Sequence, residues 1–427
     1  MKILIISAFF PPQNSIAALR PYSWAKYWSR AGHEVTVLTT TKKPAAADSP
    51  MPNEGFRVIE LPIPGMASLR RLVGSSAVAD AGVQAKPAAP TRMSLKQRLR
   101  ARIAKWQKQY GFAYGCRMPD PMDLWARVAF KAASAEQWDL VVSSAGPYSV
   151  HAPAYRLRKN GHAKKWIADW RDLWTDNHTF SGLPLLRPLE RWLERCWCQA
   201  ADALTTVSEP LAETLRAKYG DKVEVIYNGF DPEDYQQLPP EPAFPDDGVF
   251  RVVYTGSIYA GKQDPTPLFK AMRNLREAGK ISPSTLQVIF CGNNANVIEL
   301  ARQESVDDMT KYLGFLPREQ ALHMQRDADA LLFIEFYSPG VKGVLTGKLF
   351  EYIFAGPLII SVGGSVDSCS AALINKYKCG VVLGEDVEVI AKILLKNINR
   401  EEINSLPEVD DDFSRVRQAM RLLNTCM

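Results

Sequence analysis

The sequence predicts an α/β protein with two doubly wound, Rossmann-like parallel sheets, one in each half of the chain. Short apolar runs alternate with helical stretches as far as residue 230, and the same alternation restarts at residue 250. Five prolines lie among acidic residues between Pro232 and Asp247, which is typical of a linker. The predicted parts are an N-terminal domain over 1–228, a linker over 229–249, a C-terminal domain over 250–410 and a C-terminal helix over 411–427.

The first apolar run, Ile3–Ile6, is predicted to be a buried parallel strand rather than a signal peptide. Pro11 and Pro12 follow it closely, and no small-x-small cleavage site is evident. A helix over Ala17–Arg30 and a strand over Glu34–Thr39 complete a βαβ unit. The other predicted strands are Leu140–Ser143, Trp166–Ala168, Ala203–Thr206, Val223–Ile226, Phe250–Thr255, Leu286–Cys291, Ala330–Ile334 and Leu358–Val362.

The composition excludes several classes of protein. The chain has 427 residues, of which 46% are hydrophobic and 23% charged, so it is neither disordered nor fibrous. A net charge of +6 is too small to predict a nucleic-acid partner. Seven scattered cysteines and five histidines predict reduced thiols, a cytoplasmic location and no structural metal site. No apolar run approaches the roughly 20 residues of a membrane-spanning helix.

A basic segment over residues 92–117 interrupts the alternation of strands and helices. It holds eight basic residues and no acidic ones. Leu95, Leu99, Ile103 and Trp106 recur at helical spacing, which places them on one face of a helix. A basic helix with such a face is typical of a membrane interface, and a helix packed on its own domain or a nucleic-acid contact are the alternatives. The candidate membrane contacts are Arg98, Arg102, Lys105 and Trp106.

The segment Gly343–Pro357 carries the sharpest signal for a binding site. Gly347 opens a helix, Gly356-Pro357 ends it, and an apolar strand follows. A helix N-terminus offers unpaired N–H groups and partial positive charge, which suit a diphosphate. Lys348 would add a charge, and Glu351, three residues later on the same face, could accept hydrogen bonds from ribose hydroxyls. The alternative is an ion pair between Lys348 and Glu351 on a surface helix.

This segment resembles the sugar-nucleotide motif of the family 4 retaining glycosyltransferases of the GT-B fold, in their bacterial surface-polysaccharide branch. Other segments resemble the same family and occur in the expected order along nearly the whole chain. They are Asp169–Trp174, Ala201–Ser208, Tyr227–Asp231, Tyr254–Ser257 with Lys262, Gly314–Pro317 and Ala328–Ala330.

The resemblance implies two Rossmann-like domains that face each other across a cleft. It also implies transfer of a sugar, with retention of anomeric configuration, from a nucleotide-diphosphate sugar to a lipid-linked or polysaccharide acceptor at the inner face of the cytoplasmic membrane. The expected pathway is the synthesis of a cell-surface polysaccharide such as O-antigen, capsule or exopolysaccharide. No cofactor is expected and no metal ion, because no Asp-x-Asp pair lies beside a donor loop. The candidate donor-binding residues are Gly256, Ser257, Lys262, Leu345, Thr346, Lys348 and Glu351.

The candidate catalytic residues are Asp172, Arg171 and Arg20. Asp172 would orient a sugar hydroxyl or assist its deprotonation, and Arg20 would contact a phosphate. The alternative is a structural network that joins Arg171 to Asp169 or to Asp172, with Arg20 on a helix surface. The tryptophans Trp166, Trp170 and Trp174 are predicted to pack in the core rather than to bind sugar.

Three places depart from the family pattern, and one is the first loop, where Gln13–Ile16 stands in place of glycines that relatives often have. Gly343 stands where many relatives carry the first of two glutamates, and Ser257 stands where a phosphate-loop arginine is common. A non-catalytic nucleotide-sugar-binding subunit therefore remains an alternative function. A sugar-nucleotide 2-epimerase is a second alternative, because it has the same fold.

Overall fold

The computed structural model consists of two compact units. The first contains Met1–Tyr227 and Gln418–Met427, and the second contains Asn228–Arg417. The structure describes residues 1–42, 51–65, 95–113, 115–177, 179–294, 296–337, 343–400 and 411–426. Part of the predicted basic segment, residues 92–94, lies outside these ranges.

The first unit is built on a parallel sheet of seven strands. Their bounds are β1 Lys2–Ser7, β2 Glu34–Thr40, β3 Arg57–Leu61, β4 Trp138–Ser144, β5 Ala163–Asp169, β6 Ala203–Thr206 and β7 Val223–Val225. The strand order is β3-β2-β1-β4-β5-β6-β7, so the order reverses between β1 and β4. Ile3–Ile6 is buried along its whole length, as a central strand covered on both faces must be.

Helices cover the sheet of the first unit on both sides and bury its apolar residues in two clusters. The first helix starts at Ser15, whose hydroxyl accepts a hydrogen bond from the Ala18 N–H and so caps the helix. The helices are α1 Ile16–Arg30, α2 Leu95–Tyr110, α3 Met122–Ala133, α4 His151–Lys159, α5 Arg187–Ala200 and α6 Glu209–Tyr219.

The second unit is built on a parallel sheet of six strands with its own core. The strands are β8 Phe250–Thr255, β9 Leu286–Cys291, β10 Thr310–Gly314, β11 Ala330–Ile334, β12 Leu358–Val362 and β13 Gly380–Gly384. Their order, β10-β9-β8-β11-β12-β13, reverses between β8 and β11. The helices are α7 Pro232–Gln236, α8 Thr266–Glu277, α9 Val297–Gln303, α10 Arg318–Arg326, α11 Gly347–Ala355, α12 Cys369–Tyr377, α13 Val387–Ile398 and α14 Arg415–Asn424, of which α14 ends in the first unit.

The two doubly wound parallel sheets confirm the predicted fold class. The predicted linker is not a bare connection, because it holds the short helix α7 and belongs to the second unit. The C-terminal helix is shared: Phe413 packs against Phe350 in the second unit, whereas the Trp28 Nε1–H of α1 donates to the Ala419 carbonyl in the first.

Helix α2 exposes Ile103 and Trp106, two of the residues on the apolar face that the sequence predicted. Ile103 is 41% exposed and Trp106 is 44% exposed, so neither is buried by the described residues of the unit. The Arg102 guanidinium lies 5.2 Å from the centre of the Trp106 ring. The alternative in which this face packs on its own domain does not hold at these two residues.

One residue of the basic segment does not lie on a surface. Arg117 is 2% exposed and forms a buried ion pair with Glu190 of α5. Its Nη1 group also donates to the Trp174 and Phe180 carbonyls. Arg117 therefore anchors the chain after α2 and adds nothing to a basic surface.

Candidate functional site

The second unit places its predicted donor-binding residues where the strand order reverses. In doubly wound sheets, ligands bind outside the carboxyl ends of the strands at such a point. Strand β8 ends at Thr255, and Gly256 follows with a φ of +114°, a conformation that favours glycine. A Cβ at Gly256 would lie 2.9 Å from both Cε and Nζ of Lys348. The structure thus brings Gly256 and Lys348 into direct contact.

The start of α11 supplies groups that suit an anion. Thr346 caps the helix with extended backbone, and its side chain makes no capping hydrogen bond. The Thr346 hydroxyl oxygen is buried and has no hydrogen-bond partner in the described part of the chain. The first N–H groups of a helix also lack partners within it. Thr346 and this helix start together form a set of polar groups beside Lys348.

Lys348 lies in a partly buried position beside Tyr254, with its Nζ 3.7 Å from the centre of the tyrosine ring. Burial lowers the pKa of Lys348 to about 7, although nearby Glu351 acts in the opposite direction. Lys348 makes no ion pair with any residue that the structure describes. The predicted alternative, a surface ion pair with Glu351, is not formed.

Glu351 instead belongs to a polar network around the start of α10. The Arg318 Nη1 group donates to its carboxylate over 2.8 Å, and Arg415 lies 3.9 Å away. Arg318 also donates to Asp234, and the Tyr235 hydroxyl donates to the Glu351 carbonyl over 3.0 Å. Burial alone would raise the pKa of Glu351, but the two arginines hold it below its ordinary value. Glu351 is therefore a fixed, ionised acceptor.

Sequence reasoning missed the partners of Glu351. The one signal for these partners was Arg318, which comes directly after the Gly314–Pro317 segment and lies in the first turn of α10. Asp234 and Arg415 lie far from Glu351 along the chain, and no local pattern marks them.

The other predicted donor residues lie around the same strand end. Gly256 and Ser257 are exposed, and the Tyr254 hydroxyl donates to the Ser257 carbonyl. Lys262 lies on the same loop, which is tied to the end of β11 because the Tyr337 N–H donates to the Lys262 carbonyl over 2.7 Å. Leu345 is buried just before α11. Their contacts with a donor stay predictions.

In the first unit, Arg20 is packed inside the fold. It is 1% exposed, and its guanidinium makes two hydrogen bonds to Asp169, of 3.1 and 2.8 Å. It also donates to the Ile226 and Tyr227 carbonyls. This burial does not fit the predicted phosphate contact, and it does not fit the alternative of a helix-surface arginine either. Arg20 holds α1 to the ends of β5 and β7.

Asp169 is the centre of this buried network. It also accepts hydrogen bonds from Ser144 and Thr205, which lie on the strands to either side of β5. Burial by itself would raise the pKa of Asp169, but Arg20 and the two hydroxyl groups bring it below its ordinary value. The network fixes the carboxyl ends of three neighbouring strands.

Arg171 and Asp172 follow β5 and have different surroundings. The Arg171 Nε–H donates to the Ala145 carbonyl over 2.6 Å, and a Cβ at Gly146 would collide with its guanidinium. Asp172 is exposed and makes no hydrogen bond with the described residues. The predicted alternative network of Arg171 with Asp169 or Asp172 is absent from the described residues. Asp172 is thus an accessible carboxylate at the carboxyl edge of the first sheet.

The three tryptophans pack in the core, as predicted. Trp166, Trp170 and Trp174 are at most 3% exposed. Trp166 and Trp170 pack against His151, whose ring lies 4.0 Å from that of Trp170 and whose Nδ1 lies 2.8 Å from the Ser143 hydroxyl. Burial lowers the pKa of His151 to about 3, so it stays neutral.

Within the described ranges, no group of three or more His, Cys, Asp or Glu side chains has the arrangement of a metal site. None of the described helices is both long and apolar enough to cross a bilayer.

Comparisons with known proteins agree with the two-unit architecture. Residues 17–229 match the family model of the glycosyl transferase 4-like domain. Sucrose-phosphate synthase from Thermosynechococcus elongatus superposes with a TM-score of 0.59 at 15% identity, covering 99% of this chain and 98% of that one. No curated protein sequence matches the chain at a significant level.

Two further solved structures are similar. The structure titled trehalose-6-phosphate from E. coli bound with UDP-2-fluoro glucose has a TM-score of 0.59 at 13% identity, covering 100% of this chain and 96% of that one. A putative UDP-N-acetylglucosamine 2-epimerase from Listeria monocytogenes has a TM-score of 0.56 at 13% identity, covering 99% and 94%. At these identities the likeness shows the shared fold.

Proposed function

We propose that the chain is a glycosyltransferase that uses a nucleotide-diphosphate sugar as its donor, which the match of residues 17–229 to the glycosyl transferase 4-like domain and the GT-B fold support. The transferred sugar goes, with retention of anomeric configuration, to a lipid-linked or polysaccharide acceptor in cell-surface polysaccharide synthesis. The observation that carries the donor assignment is the contact of Lys348 with Gly256 beside the unpaired Thr346 hydroxyl.

The donor diphosphate would lie against the start of α11. Negative charge builds on this leaving group as the bond to the sugar breaks, and fixed donors placed there lower the barrier. The Lys348 ammonium, the Thr346 hydroxyl and the first N–H groups of the helix are such donors. The exposed backbone of Gly256 and Ser257 lets a phosphate approach closely.

Glu351 would bind the ribose hydroxyls one turn further along α11. Its carboxylate is ionised and held by Arg318, so it can accept hydrogen bonds without reorganising. The network also explains how a carboxylate next to a diphosphate avoids repelling it, because Arg318 and Arg415 offset its charge.

The acceptor would be handled by the first unit. Asp172 is an accessible carboxylate there, and it would orient a sugar hydroxyl or assist its deprotonation. Arg171, fixed by the Ala145 carbonyl, keeps the loop that carries Asp172 in place.

We propose that the transfer is independent of a divalent metal, because Lys348 and the helix start already provide positive charge for the leaving group. A chelator such as EDTA should leave the turnover of the purified protein unchanged. Loss of activity that added Mg²⁺ or Mn²⁺ restores would overturn this part of the proposal.

The protein would act at the inner face of the cytoplasmic membrane through α2. Arg98, Arg102, Lys105 and Trp106 are exposed on this helix, and the described part of the segment 92–117 has no acidic residue. Deletion of residues 92–110 should move the protein from the membrane fraction to the soluble fraction. Unchanged partitioning would exclude α2 as the membrane contact.

The donor is found by a thermal-shift screen of nucleoside diphosphates and their sugars, since a specific ligand stabilises the folded protein by mass action. The Lys348→Met and Thr346→Val variants should lose most of that stabilisation, whereas Lys392→Met, on an exposed position of α13, should keep it. Equal shifts in all three variants would refute the donor site.

The similarity to a 2-epimerase favours epimerisation as a second candidate function. An epimerase converts its nucleotide sugar without any acceptor, whereas a transferase needs one. Incubation of the purified protein with the donor alone separates the two. Free sugar or an epimeric nucleotide sugar at turnover rates would favour the epimerase.

A further inference from the structure

The outer face of α5 combines exposed apolar side chains with arginines that have no partner among the described residues. Leu185, just before the helix, is 94% exposed, Leu189 is 42% exposed and Trp192 is 59% exposed. Leu189 and Trp192, three residues apart, form a stripe on one face of the helix, and Leu185 lies in the turn that leads into it. Large apolar residues so exposed on one short segment mark an interaction surface rather than ordinary scatter.

Every exposed charge on this helix is positive, because its two glutamates are turned inward. Glu190 is completely buried against Arg117, and Glu194 is 4% exposed and accepts hydrogen bonds from the Thr175 N–H and the Tyr219 hydroxyl. Trp192 comes two residues after Glu190, which is about 200° around the helix, and so points away from the core.

Arg191 and Arg195 flank the apolar stripe, one turn apart. Both are exposed, and neither makes a hydrogen bond or an ion pair with the residues that the structure describes. They line a surface cavity of about 440 Å³ together with Lys218, which pairs there with Asp176 and Glu194. Arg191 and Arg195 are therefore the charges of this cavity that remain for an anionic group that approaches the helix.

The stripe lies next to the end of α2. The Gly182 N–H, in the segment that leads into α5, donates to the carbonyl of Tyr110, the last residue of α2. Helix α2 also exposes a tryptophan, Trp106, between basic residues. Two neighbouring helices of one unit therefore expose tryptophan together with basic residues.

We propose that the outer face of α5, formed by Leu185, Leu189, Trp192, Arg191 and Arg195, docks on an anionic lipid bilayer. Leucine and tryptophan would enter the headgroup region, where an amphipathic indole is favoured. The two arginines would contact lipid phosphates, for which a guanidinium is well suited. This inference adds a second contact to the membrane location proposed for α2 and does not depend on the donor site.

The test measures co-sedimentation of the full-length protein with phosphatidylglycerol-containing vesicles and with pure phosphatidylcholine vesicles. Removing both Arg191 and Arg195 (R191Q/R195Q) should weaken binding to the anionic vesicles about 25-fold, at about fivefold for each charge. The Trp192→Gln variant should also weaken it. Lys270→Gln/Lys280→Gln in the second unit removes the same net charge from exposed positions and should bind like the unmodified protein.

Three results would overturn the proposal. The first is unchanged vesicle binding by both α5 variants. In that case the membrane contact proposed for α2 still stands if deletion of residues 92–110 moves the protein out of the membrane fraction. The second is equal binding to phosphatidylcholine vesicles. The third is a change of oligomeric state in Trp192→Gln without any change in vesicle binding, which would assign the face to a protein partner. Melting curves of each variant, with and without the nucleoside diphosphate, check that the fold and the donor site are intact.

Discussion

Binding of a nucleoside diphosphate should take up a proton at mildly alkaline pH, because Lys348 loses its charge in the free protein. Burial lowers the pKa of Lys348 from 10.5 to about 7. Phosphate oxygens beside Nζ favour the ammonium form and raise that pKa again. If only the form with charged Lys348 binds, the fraction of protein able to bind falls about tenfold between about pH 6 and about pH 8. The Kd rises by the same factor, which corresponds to a loss of about 1.4 kcal/mol of binding free energy.

Isothermal titration calorimetry in buffers of different ionisation enthalpy measures this uptake directly. The unmodified protein should take up close to one proton at about pH 8 and far less at about pH 6. The Lys348→Met variant keeps the apolar stem but has no titrating group, so it should bind more weakly and show only the titration of the nucleotide's own terminal phosphate, near about pH 6. Equal proton uptake by both proteins at about pH 8 would refute the assignment of Lys348 to the diphosphate.

Three further perturbations test other parts of the account. Gly256→Ala should weaken nucleotide binding in a thermal-shift assay, because its Cβ would meet the end of the Lys348 side chain at 2.9 Å and displace it. Gly279→Ala, at a φ of +65° with open space around it, should only lower the melting temperature; equal effects would count against the site. Asp169→Asn should lower the free energy of unfolding, measured with urea, by about 3–5 kcal/mol, because it leaves the buried Arg20 without its counter-charge. The difference from the unmodified protein should shrink as the pH falls through the depressed pKa of Asp169. A difference below about 1 kcal/mol would contradict the network. Asp172→Asn should lower kcat about 100-fold or more while the melting shift with donor stays unchanged, and a changed donor affinity with normal kcat would refute its role.

The fold was predictable because each central strand is an unbroken apolar run. Ile3–Ile6 and Ala330–Ile334 have this pattern, and both are buried central strands. The start of α11 was also predictable, since Gly347 and Gly356 mark its two ends and Lys348 follows the first glycine. Local chemistry determines these features, so a single stretch of sequence contains them.

Buried pairs between distant residues could not be predicted. Arg20 and Asp169 are 149 residues apart, and Arg117 and Glu190 are 73 apart. In the sequence, Arg20 looks like any arginine of an amphipathic helix and Arg117 like the end of a basic segment. Only the packing of α1 and α5 on the sheet shows that both guanidinium groups are buried, and no periodicity records this. The partners of Glu351 escaped prediction for the same reason.

The most direct measurement is a crystal structure of the protein with the nucleoside diphosphate that stabilises it most. The account predicts diphosphate oxygens within about 3 Å of Lys348 Nζ and of the Thr346 hydroxyl, with the ribose hydroxyls on the Glu351 carboxylate. A nucleotide bound elsewhere in the second unit, with Thr346 and Lys348 untouched, would contradict it.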